Sequence, residues 1–214
     1  MKKAFLLIIA LLCFYGAASA QNAKGFAGFR AGGTASIITG DRYPFPTPRF
    51  GLGGGIFVIK EFKKSRVMGY RMDIDFLQMG TRYTTNIVRP YSLETLYAQF
   101  SPQLIFNLVP GPKAIDGKLY FNIGPSLNIL LLAQEKELRT ALDLTSKYRS
   151  LNYGINGGFT YMGRMNKDIW LTADVRGIYL LNNIKRYPDD MQKSISIYAS
   201  VGFAYVFKFK QFAY

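Results

Sequence analysis

Apolar and polar residues alternate with a period of two along most of the chain. The clearest stretch is residues 68–76. Met68, Tyr70, Met72, Ile74 and Phe76 fall on one side, and Gly69, Arg71, Asp73 and Asp75 on the other. A helix would scatter these charges around its circumference, whereas a strand segregates them completely. The same alternation recurs in residues 96–107, 119–131, 151–161, 169–176 and 194–207. Two glycine-rich segments, 25–38 and 49–60, complete a set of about eight strands, although glycine marks neither face. Most of these strands exceed the mode of about 5–6 residues in globular proteins and suit the 9–11 that a tilted membrane strand needs. The pattern therefore predicts an all-β fold: a transmembrane, antiparallel, up-and-down β-barrel of about eight strands.

The connections alternate too. Residues 39–48, 83–92, 133–150 and 182–192 read as long polar loops, and 61–66 and 163–168 as short turns, with 108–117 a longer turn. Long loops outside and short turns on the periplasmic side are the outer-membrane arrangement. An even strand number then puts both termini in the periplasm. Glu135 and Arg139, an i,i+4 pair, allow a short helical piece within 134–144. Pro102 and Pro125 fall inside strands, where proline cannot donate to the ladder, and bulges are the expected reason.

In a membrane barrel the apolar face meets lipid and the polar face fills the lumen. The polar face here carries Arg71, Asp73, Asp75, Gln99, Gln103, Asn107, Asn122, Asn128, Asp174 and Arg176. Arg71, Asp73, Asp75, Asp174 and Arg176 are expected to form an ion-pair network plugging the lumen, since buried carboxylates need partners. Aromatics near strand ends suggest interfacial girdles: Tyr83, Tyr91, Tyr148, Tyr179 and Tyr198 on the loop side, Phe62, Tyr161 and Trp170 on the turn side.

Composition agrees with an exported β-protein. Hydrophobic residues make up 49% and aromatics 15%, too apolar for disorder. Lys2 and Lys3, the apolar run that follows and Ala18-Ser19-Ala20 predict a Sec signal peptide over residues 1–20, leaving an outer-membrane barrel domain over 21–214. Cleavage would remove Cys13, the single cysteine. The net charge of +14 points to anionic lipid rather than to nucleic acid in an exported chain. Lys60, Lys63, Lys64, Arg66, Lys113, Lys118, Arg164, Lys167, Lys208 and Lys210 would meet phospholipid at the turn side. Arg42, Arg89, Lys136, Arg139, Lys147, Arg149, Lys185 and Arg186 would meet lipopolysaccharide phosphate at the loop side.

The last strand, Ser200-Val201-Gly202-Phe203-Ala204-Tyr205-Val206-Phe207, has the polar, glycine and aromatic spacing of a signal for the barrel-assembly machinery, with Gly202, Tyr205 and Phe207 as its marked positions. Taken with Gly28-Phe29-Arg30-Ala31-Gly32-Gly33, Phe50-Gly51-Leu52-Gly53-Gly54-Gly55, residues 70–80, Gly124-Pro125-Ser126, Gly154 and Gly157-Gly158, the chain resembles the PorT-like outer-membrane β-barrel domain family. The resemblance implies a Gram-negative outer-membrane barrel. It implies no activity, because the motifs mark architecture.

Little catalytic chemistry is available. The chain has no histidine, which removes histidine-based triads, zinc sites and general bases. Asp73 and Asp75, roughly 7 Å apart on one strand face, are the one carboxylate pair to weigh, and an ion-pair role outweighs an acid–base one. Gly51 to Gly55 lacks the following helix start that a phosphate loop requires, so close strand approach or a bulge is expected. No cofactor is implied. The expectation is a non-enzymatic barrel with a filled lumen, structural, adhesive or accessory to an envelope complex through its loops. A narrow solute channel and a soluble periplasmic lipid-binding barrel are the alternatives.

Overall fold

The computed structural model describes residues 24–40, 46–62, 67–85, 89–109, 117–137, 140–186 and 191–208. The expected signal peptide lies outside them, as does the tail after Lys208.

Eight long strands form the wall: β1 (Lys24–Thr39), β2 (Thr47–Glu61), β3 (Met68–Thr85), β4 (Arg89–Asn107), β5 (Gly117–Glu137), β7 (Leu151–Arg164), β8 (Ile169–Leu180) and β9 (Lys193–Lys208). A short β6 (Thr140–Asp143) folds back on β5, and one 3-10 turn, η1, spans Thr145–Lys147. The sheet runs β4-β3-β2-β1-β9-β8-β7-β5, and a β4–β5 pairing closes it into a cylinder. Every pairing is antiparallel.

The period-two pattern maps onto the two faces of the wall. On β3, Arg71, Asp73 and Asp75 are buried inward while Ile74 and Phe76 are exposed outward. On β9 the outward positions run Ile195, Ile197, Ala199, Val201, Phe203, Tyr205. Ten residue steps at about 3.3 Å, tilted by about 40°, give roughly the 25 Å apolar band of a membrane barrel.

Several local expectations are corrected. Residues 83–92 are not a long loop: β3 reaches Thr85 and β4 begins at Arg89, with Tyr83 paired to Tyr91. The span 134–144 is not helical. Its described residues form the β5–β6 hairpin, Gln134 opposite Asp143 and Glu137 opposite Thr140. Pro102 and Pro125 are not at bulges. The β4–β5 register is the same on either side of them (Phe100↔Leu127, Leu104↔Ile123), so the two prolines oppose each other. Between those two pairs the ladder lapses, because neither ring nitrogen carries a hydrogen to donate.

The bulges lie elsewhere. One falls at Leu131 in β5, between Leu96↔Leu132 and Tyr97↔Leu130. The other lies in the glycine-rich run of β2, between Pro48 and Gly53. There the β2–β3 pairing breaks register, and hydroxyls of β1 satisfy the backbone of β3. Ser36 Oγ accepts from Gly80 N at 2.7 Å and donates to Gly80 O at 3.0 Å, and Thr34 Oγ1 donates to Gln78 O. Gly80 has φ +152°, and a Cβ there would lie 2.0 Å from Leu93 O, so this position requires glycine.

Candidate functional site

The lumen is built in three layers. At the turn end, Phe26, Phe57, Ile59, Ile105, Tyr120, Met162 and Trp170 form one apolar cluster. At the loop end, Ile38, Leu77, Met79, Tyr83, Leu93, Tyr97, Leu130 and Tyr198 form part of another. Between them lies a charged layer of three arginines and three aspartates.

The structure brings together Arg71, Asp73 and Asp75 of β3 with Asp174 and Arg176 of β8. It adds Arg30 of β1, which the alternation had not marked. Arg30 Nη2 lies 2.7 Å from Asp75 Oδ2 and 3.1 Å from Asp73 Oδ1, and its Nη1 lies 3.3 Å from Asp174 Oδ2. Arg71 holds Asp174 in a two-pronged contact, Nη1 to Oδ1 at 2.9 Å and Nη2 to Oδ2 at 3.0 Å, and Asp73 through Nε at 2.8 Å. Arg176 spans Asp73 and Asp75 at 2.9 and 3.0 Å. Gln103 donates to Asp73 Oδ2 at 2.8 Å, and Thr160 Oγ1 to Asp174 Oδ1 at 2.6 Å.

Each of the six carboxylate oxygens thus meets at least two donor contacts, and the side chains of all six residues are at most 1% exposed. The layer is neutral, three charges of each sign. Taking ions out of water costs several kcal/mol each, and only dense, well-aligned pairing offsets that. The same density occupies the carboxylates with guanidiniums, so Asp73 and Asp75 present no lone pair for acid–base work.

One ring of each apolar cluster faces the charged layer. Arg71 and Arg30 lie 5.0 and 5.5 Å from the Phe57 ring centroid, and Arg176 and Arg30 lie 5.2 and 5.7 Å from that of Tyr198. All four distances suit cation–π contact. Tyr198, Tyr83, Tyr148 and Trp170 are therefore lumen residues and not girdle residues, all buried. Tyr161, Tyr179 and Phe62 are exposed, and Tyr91 stacks on Tyr83 with ring centroids 5.5 Å apart.

Both ends of the lumen are covered. At the turn end Glu61 accepts from Lys118 Nζ at 2.7 Å and from Tyr120 Oη at 2.6 Å. Lys118 lies 5.1 Å from the Phe26 ring, so it closes the end instead of reaching for head groups. Lys60 is likewise buried, between Gly25 and Tyr70 in the register. At the loop end the segments around Tyr148 and Lys185 bridge each other. Arg149 N donates to Ile184 O at 2.8 Å, and Leu144, Tyr148 and Ile184 enter the apolar cluster. Among the other expected lipid contacts, Lys136 pairs with Glu94 at 2.8 Å, and Arg49 joins the same carboxylate at 2.8 Å. Arg42, Lys63, Lys64, Arg66, Lys113, Arg139 and Lys210 lie outside the described residues.

Gly202, Tyr205 and Phe207 of the expected assembly signal fall on β9. Gly202 faces the lumen beside Arg30, and Tyr205 faces outward at 57% exposure.

A closed eight-stranded antiparallel cylinder, apolar outside and charged within, is an outer-membrane β-barrel protein. The model of the outer membrane protein beta-barrel domain family matches residues 19–186, and the chain belongs to that family. Solved structures agree on the fold. A major outer membrane protein from Thermus thermophilus is 13% identical with a TM-score of 0.56, over 86% of this chain and 100% of its own. Neisserial surface protein A, from Neisseria, is 13% identical with a TM-score of 0.51, over 85% and 97%. OprG from Pseudomonas aeruginosa is 12% identical with a TM-score of 0.50, over 88% and 98%. No curated protein matches by sequence.

Proposed function

We propose that this protein is a non-enzymatic outer-membrane barrel with a blocked lumen, serving a structural, adhesive or accessory role in an envelope complex through its loop end. The observation that carries this reading is the neutral six-residue charged layer held between two apolar layers. A continuous aqueous path would have to open the ion pairs and cross both apolar clusters. Export through the Sec signal of residues 1–20 would leave the termini in the periplasm and the loop end outside, with phospholipid around the turn end and lipopolysaccharide around the loop end. The C-terminal strand would be read by the barrel-assembly machinery, and the glycine motifs favour a PorT-like subgroup.

Planar-bilayer recording on the purified, folded protein tests the blocked lumen. The expected record has no steady current. Sizeable steady currents would overturn the reading in favour of a narrow solute channel.

A further inference from the structure

The loop end carries a cleft of about 750 Å³ lined by Asp143, Thr145, Ser146, Tyr148, Arg149, Ser150, Leu151 and Arg186. That volume lies within the range of small-ligand sites. Two short segments build its charged side. Tyr148 bridges Lys185, and Arg186 N donates to Lys147 O at 3.0 Å, so Lys147 and Arg186 stand opposite each other. Like charges in that position repel. Arg149 Nε donates to Lys185 O at 3.1 Å, which fixes the guanidinium, and among the described residues its two terminal nitrogens meet no acceptor.

Among the described residues, neither Arg149 nor Arg186 has a carboxylate at ion-pair distance. Asp143, the acid of the cleft, accepts from Thr145 N at 2.8 Å. Arg149 and Arg186 thus bring two positive charges to a cleft whose one carboxylate among the described residues is already engaged, beside the hydroxyls of Thr145, Ser146 and Ser150. Below the cleft the wall turns apolar at once: Leu151, Ile129 and Tyr153 are exposed, and Leu151 pairs with Ile129. The site is therefore amphiphilic, with phosphate-matching guanidiniums above and a lipid-facing surface beneath.

We propose that this cleft binds the phosphorylated saccharide head of an outer-leaflet glycolipid, with Arg149 and Arg186 on the phosphate and the acyl chains lying along Leu151, Ile129 and Tyr153. The assignment rests on the loop end facing outward, as proposed above.

The test is a titration of the full-length folded protein in nanodiscs of neutral phospholipid. The probes are lipid A bearing both phosphates, the same lipid dephosphorylated, and inorganic pyrophosphate. The variant is the double substitution Arg149→Gln/Arg186→Gln, with heat-modifiable gel mobility as the check of folding. The expected result is binding of the diphosphorylated lipid, at least tenfold weaker binding of the dephosphorylated lipid and of pyrophosphate, and at least a tenfold loss in the double variant. Equal binding of the dephosphorylated lipid, pyrophosphate binding as tight as the lipid, or unchanged affinity in a folded double variant would each overturn the proposal. Protease access to the loops in intact cells reports orientation separately, so failure of the cleft and failure of the outward-facing reading are distinguishable.

Discussion

Arg30 contacts all three aspartates of the lumen, and two glycines give it room. Its register partners are Gly55 on β2 and Gly202 on β9. A Cβ at Gly202 would lie 2.1 Å from Phe29 O and 2.8 Å from Arg30 Cβ, and one at Gly55 would lie 2.3 Å from Asp75 Oδ1. Gly158 stands beside Arg176 in the same way. Pairing a large charged side chain with glycine on a neighbouring strand lets six such groups share one layer of a narrow cylinder. Removing one partner leaves buried charge uncompensated, so Arg71→Ala is expected to lower stability by about 3–5 kcal/mol, measured by urea unfolding in detergent. An unchanged midpoint would mean that the network does not stabilise the barrel. Gly202→Ala is expected to cost about 1–3 kcal/mol through overpacking. Tyr205→Ala, on the outer face, should instead reduce assembly yield in cells while leaving unfolding nearly unchanged. If both substitutions behaved alike, the split between packing and assembly signal would be wrong. Five of the six charged residues stood out in the sequence because apolar residues flank them in strict alternation. Arg30 did not, because Gly28 and Gly32 two positions away leave its face unmarked.

The strands themselves were legible, and their ends were not. Polarity reports the medium around a side chain, so β3, β4 and β5, which continue beyond the apolar band, read as loops once their outward residues became polar. Aromatic rings were misplaced for a related reason: Tyr198 and Trp170 occupy inward parity, and parity outranks distance from the strand end. The opposed prolines of β4 and β5 give a prediction at this scale. Pro102→Ala and Pro125→Ala should each restore one ladder hydrogen bond and add about 0.5–1.5 kcal/mol, with additive effects in urea unfolding. Loss of stability in either would show that the ring is needed for the wall's curvature. The β6–η1 segment has its own pH dependence. The hydrogen bonds from Thr145 hold the Asp143 carboxyl below its ordinary value of 3.8. A depressed acid stabilises the fold above its unfolded value and ceases to do so as pH falls through the folded value. Protection of the Thr145 amide against hydrogen exchange should therefore hold at neutral pH and decline below pH of about 4. Constant protection through that range would remove Asp143 from the account.

At the scale of the whole barrel, the charged layer is isolated from solvent by the clusters above and below it. Salt screens charges through water, with a Debye length of about 3 Å at 1 M, and little of that screening reaches side chains this deeply buried. The unfolding midpoint is expected to stay level when ionic strength is raised at constant detergent. A steep fall would indicate that solvent ions enter the lumen. The charges are also distributed among the strands in a way that bears on biogenesis. Arg30 on β1 and Arg71, Asp73 and Asp75 on β3 cancel among themselves, and Asp174 and Arg176 cancel within β8. A nascent hairpin sheet of the first three strands, or β8 entering later, therefore brings no net charge of this layer into the bilayer. The electrostatic cost of inserting the layer is divided into self-cancelling instalments, and closure of the seam between β1 and β9 joins two shares of it that are each already neutral.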